Sequence, residues 1–204
     1  MKTLMAHENI SKPIVMAFAG PNGSGKSTIT RQVPLYGEYV NADNLKKEYN
    51  LTDLEAAEKA TAIRNDCVDK TIDFTFETVL STDRNLLLLR KAKENGYRIQ
   101  CIYVLTCNPD INVARVRTRV LEGGHDVPEC KIRNRYDRAL KLLPQVIDVC
   151  DIMLIYDNST DKPILVFSKG ECCFPSEIWP IEKLKELLKR IDILPIETQF
   201  INSL

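Results

Sequence analysis

The chain has 204 residues, of which 44% are hydrophobic, and this is enough to build a sizeable core within one domain. Its 28 Lys and Arg residues balance 28 Asp and Glu residues, so the formal net charge is zero and no overall field would recruit nucleic acid or a membrane surface. The sequence contains no apolar run of about eighteen residues, which excludes a membrane-spanning helix of ordinary length.

In chain order, short apolar runs alternate with helical patterns, an alternation typical of βαβ units and a parallel sheet. The expected strands cover residues 14–19, 39–41, 73–77, 99–106, 152–156 and 164–167. The expected helices cover residues 26–32, 53–70, 82–95, 109–121, 128–149 and 181–191. Residues 1–12 are expected to form an N-terminal arm, and a C-terminal helix within residues 179–192 is expected to cover the core.

A glycine-rich motif directly follows the first apolar run. Residues 20–27 read GPNGSGKS and satisfy the pattern G-x-x-x-x-G-K-[ST]. Backbone N–H groups of such a loop point at phosphate oxygens, and the following helix N-terminus adds positive potential. Lys26 would reach the β- and γ-phosphates, and the Ser27 hydroxyl would hold Mg²⁺. A chance glycine-rich turn is disfavoured because the strand before the motif and the helix after it supply the required context.

These observations predict an α/β fold: a P-loop NTPase three-layer sandwich with a mostly parallel sheet, helices on both faces and a helical lid. Residues 1–204 are expected to form one domain, with the lid region at residues 109–149. Two P-loop classes are disfavoured. The chain lacks the Leu-Ser-Gly-Gly-Gln signature of ABC transporter ATPases and the Asn-Lys-x-Asp motif usual for guanine specificity.

The cysteines indicate the redox compartment. There are seven, an odd number, without C-x-x-C spacing, and no secretory apolar segment follows Met1. These features predict a reducing cytoplasm. Cys172 and Cys173 are interpreted as two buried or half-buried thiols, with a vicinal redox pair as the alternative.

Three carboxylates follow or end expected strands, where ligands of doubly wound sheets bind. Asp43 is the candidate general base of a kinase, and N-capping of a helix that begins at Asn44 is a competing role that could coexist with it. Glu77 emerges from an apolar strand, where an unpaired carboxylate is costly to bury, so it is expected to face a ligand or the Mg²⁺ water shell. Asp157 is interpreted as a turn residue.

A segment dense in arginine supplies candidate cations. On a helix, Arg115 and Arg119 lie at i,i+4, where like charges repel, so an anionic partner such as a bound triphosphate is expected. His125 lies beside a glycine pair without metal-ligand companions, and is interpreted as a loop-ordering or phosphate-facing residue.

A returning helix after the glycine pair carries Arg133 and Arg135. The two helices are predicted to form a lid that closes arginines over the phosphates and excludes water. The alternative is a solvated helical hairpin in which Arg133 pairs with Glu129 and Asp137.

Several motifs in order resemble those of the small bacterial zeta-toxin-like P-loop kinases. They occupy residues 20–27, 41–43, 76–81, 119–128 with 133–136, and 156–159. The resemblance spans most of the chain and implies an ATP-dependent phosphotransferase. Zeta toxins proper phosphorylate the 3′-hydroxyl of UDP-N-acetylglucosamine and are held inactive by a small antitoxin.

The resemblance also implies residue roles. Lys26 and Ser27 would bind ATP and Mg²⁺, with Asp43 as the base. Glu77 and Thr78 would face the acceptor. The arginines implied at the transferring phosphate are Arg119 with Arg133 or Arg135. The implied nucleotide-binding set is Gly20, Asn22, Gly23, Ser24, Gly25, Lys26, Ser27, Thr28 and Arg115.

Two departures from the family pattern bear on the substrate. The chain is shorter than the peptidoglycan-targeting toxins, and it has Asn134-Arg135 where an arginine pair usually precedes the aromatic residue. A nucleoside, nucleotide or simple sugar acceptor therefore stays open beside a UDP-sugar. A regulatory protein that hydrolyses ATP slowly, and a scaffold acting through a protein partner, are the alternatives from other classes.

Overall fold

The computed structural model describes residues 12–169. The expected N-terminal arm, apart from Lys12, lies outside the described residues. So do the expected C-terminal helix and the pair Cys172 and Cys173. Within the described part of the chain, no helix is both long enough and apolar enough to cross a membrane.

Strands and helices alternate along residues 12–169 much as the sequence predicts. The strands are β1 Ile14–Ala19, β2 Glu38–Val40, β3 Phe74–Thr78, β4 Arg98–Leu105, β5 Ile152–Asp157 and β6 Ile164–Ser168. The helices are α1 Lys26–Thr30, α2 Ala42–Tyr49, α3 Asp53–Asp69, α4 Asp83–Glu94, α5 Pro109–Leu121 and α6 Glu129–Val149. Element ends differ from the sequence-based bounds by two residues at most.

The six strands form one sheet in the order β2-β3-β1-β4-β5-β6. Neighbouring strands from β2 to β5 pair in parallel, and β6 runs antiparallel to β5. The central strand β1 is buried from Val15 to Ala19, as expected for a parallel strand covered on both faces. The mostly parallel sheet predicted from the sequence is therefore confirmed. All carboxyl ends from β1 to β5 meet at the edge where ligands of such sheets bind.

Apolar residues cover both faces of the sheet. On one face, Val15 and Ala17 of β1 join a large core with Phe74, Phe76 and residues of α3, α4 and α6. On the other face, Met16 and Phe18 pack in a smaller cluster that includes Ile29 of α1. Alternate side chains of β1 thus point into two cores on opposite faces of the sheet. This produces the three-layer arrangement, with helices on both sides of the sheet.

Helix α2 was predicted to begin at Asn44, with no predicted end, and it begins two residues earlier, at Ala42. None of its residues is fully buried, but Ala42 and Leu45 are partly buried against the main core, and with Tyr49 they mark one face of the helix at i, i+3 and i+7. Asn41 starts it: the Asn41 Oδ1 atom accepts hydrogen bonds from the backbone N–H groups of Asp43 at 2.8 Å and Asn44 at 3.3 Å. The N-cap role considered for Asp43 is therefore wrong, because Asn41 fills it.

Helices α5 and α6 form the region expected to be the lid. They share a small apolar cluster, separate from the main cores, that contains Val113, Val116, Val127 and Ile132. The C-terminal half of α6, by contrast, packs in the main core through residues such as Leu140. The outer part of the hairpin is thus held by fewer buried contacts than its base.

Candidate active site

The glycine-rich loop joins β1 to α1 and adopts a conformation that requires glycine. Gly20, Gly23 and Gly25 have φ angles of 139°, 77° and 95°, in the region that other residues rarely adopt. A Cβ atom on Gly23 would lie 2.5 Å from the Asn112 carbonyl oxygen, and one on Gly25 would lie 2.2 Å from Asn158 Nδ2. The loop is therefore packed closely against two other segments.

Two asparagine side chains hold this loop. Asn112 of α5 is fully buried and donates from Nδ2 to the carbonyl of Asn22 at 2.6 Å. Asn158, just after β5, donates from Nδ2 to the carbonyl of Ser24 at 2.8 Å. Neither role was predicted from the sequence. No local motif marks Asn112 or Asn158 for this role, because each bonds to a loop residue far away in the chain.

Lys26 and Ser27 begin α1, where the motif requires them. The Lys26 Nζ atom donates to the carbonyls of Gly20 at 2.7 Å and Pro21 at 2.9 Å, so the ammonium lies against the loop. Burial lowers the pKa of Lys26 to about 8, against the opposing effect of Glu77. The Ser27 hydroxyl donates to Glu77 Oε2 at 3.0 Å.

Glu77 is held by two hydroxyl groups. Besides the bond from Ser27, its Oε1 atom accepts a hydrogen bond of 2.7 Å from the Tyr39 hydroxyl. The Tyr39 oxygen in turn accepts from Asn41 Nδ2 at 3.0 Å. Partial burial and the hydrogen bond to Glu77 raise the pKa of Tyr39 well above its usual value, so this side chain is a neutral donor. Tyr39 was not among the site residues predicted from the sequence.

A cleft of about 740 Å³ opens where these elements meet. It lies between α1, α2, the end of β3 and the loop that follows α5. Its lining residues include Ser27, Tyr39, Asp43, Glu77, Arg119 and His125. Asp43 is exposed in the first turn of α2, free to meet a ligand in the cleft. The candidate base and the end of the phosphate loop thus share one cavity.

The four candidate arginines occupy different positions. Arg119 lines the cleft and donates to the carbonyl of His125 at 2.6 Å, which orders the loop after α5. Arg115 donates to the carbonyl of Asn158 at 2.7 Å, beside the phosphate loop. Arg135 donates to Asn22 Oδ1 at 3.3 Å, within the loop itself.

Arg133 forms its ion pairs within the hairpin of α5 and α6. Its guanidinium forms ion pairs with Asp110 at 2.6 Å and Glu129 at 2.8 Å, and these hydrogen-bonded carboxylates raise its pKa. The Glu129 partner is one that the hairpin interpretation expected. Asp110, at the start of α5, is the other partner, instead of the expected Asp137.

Two further candidates, Thr28 and Thr78, differ in their surroundings. Thr28 is exposed beside Ser27 at the start of α1. Thr78 is buried on the face of β3 opposite Glu77, where its hydroxyl accepts bonds from Asn85 Nδ2 at 2.7 Å and Leu80 N at 3.0 Å. Glu77 therefore lines the cleft, whereas Thr78 does not.

Asp157 ends β5 and is buried. Its Oδ1 atom accepts from the backbone N–H of Ser159 at 2.9 Å and from the Ser159 hydroxyl. These are the local bonds expected of a turn residue.

A mostly parallel sheet with a glycine loop between its central strand and the next helix defines the P-loop NTPase fold. The model of the zeta toxin family matches residues 2–164. The chain therefore belongs to the zeta toxin family, and the resemblance noted in its motifs is confirmed.

The chain also resembles other proteins in sequence and in fold. A protein of Haemophilus influenzae described as uncharacterized is 30% identical over 125 residues, which cover 58% of this chain and 89% of that protein. A chain of the PezAT chromosomal toxin–antitoxin system of Streptococcus pneumoniae has a similar fold, with a TM-score of 0.55, 19% identity, and coverage of 92% of this chain and 89% of its own.

A second group of solved structures is the AvrRxo1-ORF1:-ORF2 complex. The complex with ATP has a TM-score of 0.64 and 14% identity, and the match covers 91% of this chain and 65% of that chain. At such low identity the likeness establishes the fold alone.

Proposed function

We propose that this protein transfers the γ-phosphoryl group of ATP to a hydroxyl group of a small molecule in the cytoplasm. UDP-N-acetylglucosamine or a similar sugar nucleotide is the acceptor that the family favours. The observation that carries the proposal is the shared cleft, because Ser27 at the end of the phosphate loop and the exposed carboxylate of Asp43 both line it. A nucleotide-binding loop without a base would be expected of a binding protein, whereas a kinase needs both.

The roles of the phosphate loop follow from its contacts. Lys26 now donates to loop carbonyls, and on ATP binding its ammonium would exchange them for β- and γ-phosphate oxygens, which are stronger acceptors. The Ser27 hydroxyl and the Glu77 carboxylate are the hard oxygen ligands that suit Mg²⁺, directly or through water. When bound, Mg²⁺ would neutralise charge that develops on the transferred phosphoryl group.

Asp43 would accept the proton of the acceptor hydroxyl as that oxygen attacks the γ-phosphorus. General-base assistance of this kind typically contributes about 10²- to 10⁴-fold to the rate. The P–O bond to ADP breaks as the new bond forms, and the negative charge left on ADP needs cations nearby. Arg119 lines the cleft and Arg135 contacts the phosphate loop, and this placement supports both as those cations.

A protein partner also belongs to the proposal. The PezAT neighbour is part of a toxin–antitoxin system. We expect a small antitoxin to restrain this protein in its host, and co-purification of such a partner from native cells would test this expectation.

Phosphorus NMR tests the reaction. The protein is incubated with Mg²⁺–ATP and UDP-N-acetylglucosamine, beside a control without acceptor and a mixed pool of nucleosides, nucleotides and sugars. A new phosphomonoester signal with the UDP-sugar alone supports the proposal in full. A signal with the pool alone keeps the kinase and replaces its acceptor. Free phosphate that no acceptor alters would instead indicate a regulatory ATPase.

A further inference from the structure

Tyr39 lies at the middle of β2 and joins the two halves of the candidate site. It is half-buried, its ring stands at the wall of the cleft, and its hydroxyl lies between Asn41 and Glu77. None of the motifs of the phosphate loop or of the candidate base includes it. Its role depends on which atom donates and which atom accepts in each of these hydrogen bonds.

The cap of α2 fixes the first of these directions. Asn41 Oδ1 accepts from two backbone N–H groups at the start of the helix, so the amide nitrogen of Asn41 is the atom that faces Tyr39. An amide nitrogen can only donate, and the Tyr39 oxygen must therefore accept from it. The single proton of the Tyr39 hydroxyl is left for Glu77 Oε1.

The direction of the hydrogen bond between Ser27 and Glu77 follows in the same way. A carboxylate only accepts, so the Ser27 hydroxyl donates its one proton to Glu77 Oε2 at 3.0 Å. The lone pairs of the Ser27 oxygen remain available for a cation. The orientation of Ser27 thus depends on Glu77, and that of Glu77 depends on Tyr39.

We propose that Tyr39 is a positioning residue for the metal-binding side of the nucleotide site. By holding one oxygen of Glu77, its hydroxyl fixes the other oxygen against Ser27 and so keeps the serine lone pairs ready for Mg²⁺. Through Asn41, the same chain ties this arrangement to the first turn of α2, which carries Asp43. The inference rests on the proposed function in one respect, that the loop binds Mg²⁺–ATP.

The decisive variant is Tyr39→Phe, which keeps the ring and its packing and removes only the hydroxyl. ATP affinity is measured by calorimetry in excess Mg²⁺ and again in EDTA. Outer-shell partners of metal ligands typically contribute about 10- to 100-fold to metal affinity. Because Tyr39 acts through two other residues, the expected loss is at the lower end, about tenfold in the Mg²⁺-dependent part of ATP affinity.

The comparison in EDTA separates positioning from structural damage. A variant that merely distorts the site would bind ATP more weakly in both conditions, whereas loss of positioning weakens binding only with Mg²⁺. Tyr36→Phe is the matched control, because Tyr36 is an exposed tyrosine just before β2 whose hydrogen bonds to Thr75 use only its backbone. That control is expected to match the wild type in both conditions.

Each outcome of this comparison either supports or overturns the positioning role of Tyr39. A weaker response to Mg²⁺ in Tyr39→Phe, with unchanged affinity in EDTA, supports the assignment. Equal Mg²⁺ dependence in the variant and the wild type, or an equal loss in both conditions, overturns it and leaves the proposed kinase intact. A wild-type protein that does not bind Mg²⁺–ATP at all overturns both the inference and the proposed function.

Discussion

The guanidinium of Arg135 donates a hydrogen bond of 3.3 Å to Asn22 Oδ1, joining α6 to the phosphate loop across 113 positions of the chain. Arg133, two residues earlier on the same helix, is instead paired with Asp110 and Glu129. Residues two apart on a helix point in different directions, so the two arginines cannot serve the same ligand in this arrangement. The family pattern alone could not choose between them.

Replacing Arg135 by alanine is expected to slow phosphoryl transfer by about 100-fold or more, because a cation near the phosphates would be lost. Arg133→Ala is the matched control and is expected to keep nearly wild-type turnover, since exposed ion pairs contribute little. Steady-state kinetics with saturating ATP makes the comparison. The opposite ranking of the two variants would assign the phosphate contact to Arg133.

Asp43→Asn is expected to reduce turnover by about 10²- to 10⁴-fold while ATP affinity stays the same, because the amide cannot accept the acceptor proton. Asp53→Asn provides a control, since Asp53 is an exposed carboxylate that pairs with Lys46. Turnover is measured with the acceptor found by NMR, and ATP affinity by calorimetry. Near wild-type phosphorylation by Asp43→Asn would remove Asp43 from the role of base.

Gly23→Ala tests the packing of the phosphate loop. The new Cβ atom would lie 2.5 Å from the backbone of Asn112, so the loop must shift and ATP binding is expected to weaken severely. Gly96→Ala is matched in conformation, with a φ angle of 84°, but no atom lies within 4 Å of its Cβ position. It should lose only about 1 kcal/mol of unfolding free energy, from backbone strain, and bind ATP normally. Equal ATP affinity in both variants would contradict this account.

Asp151 gives the fold an acid-sensitive contact away from the site. Partial burial opposes its ionisation, but hydrogen bonds from Lys93 and from the backbone N–H of Ile99 outweigh that effect and hold its pKa below the ordinary value of 3.8. A carboxyl with a lowered pKa stabilises the fold above its unfolded pKa and loses that contribution as pH falls through the folded pKa.

The wild type should therefore lose unfolding free energy more steeply than Asp151→Asn as the pH falls from about 5 toward 3. Urea unfolding at several pH values measures both slopes. Asp148→Asn, a change of an exposed carboxylate on α6, should follow the wild type. Parallel slopes for wild type and Asp151→Asn would show that the contact adds nothing.

Local signals explain why most elements could be predicted from the sequence. The bounds of α5 were predicted to the residue, because the Asn108 side chain caps it and Pro109 occupies its first turn. Strands such as β1 are continuous apolar runs in the sequence. Helix α2 has only eight residues, and its apolar positions Ala42, Leu45 and Tyr49 span just two turns, so its end was not predicted.

The residues of the candidate site, too, were predicted only where a local sequence signal exists. The phosphate loop, Asp43 and Glu77 follow from a local motif and from strand ends, and all three meet at the cleft. Asn112 and Asn158 could not be predicted, because their partners Asn22 and Ser24 lie 90 and 134 positions away. Only the order of strands in the sheet brings those segments together.

The large sequence separation between the loop and the two asparagines that hold it has a consequence for synthesis of the protein. The complete phosphate-binding motif emerges from the ribosome early, by residue 27, whereas the two amides that brace it follow at positions 112 and 158. A nascent chain that ends before β5 has the signature of a nucleotide site without the contacts that give the loop its shape. We therefore expect the loop to reach its final shape late in translation, once Asn158 after the fifth strand has been synthesised.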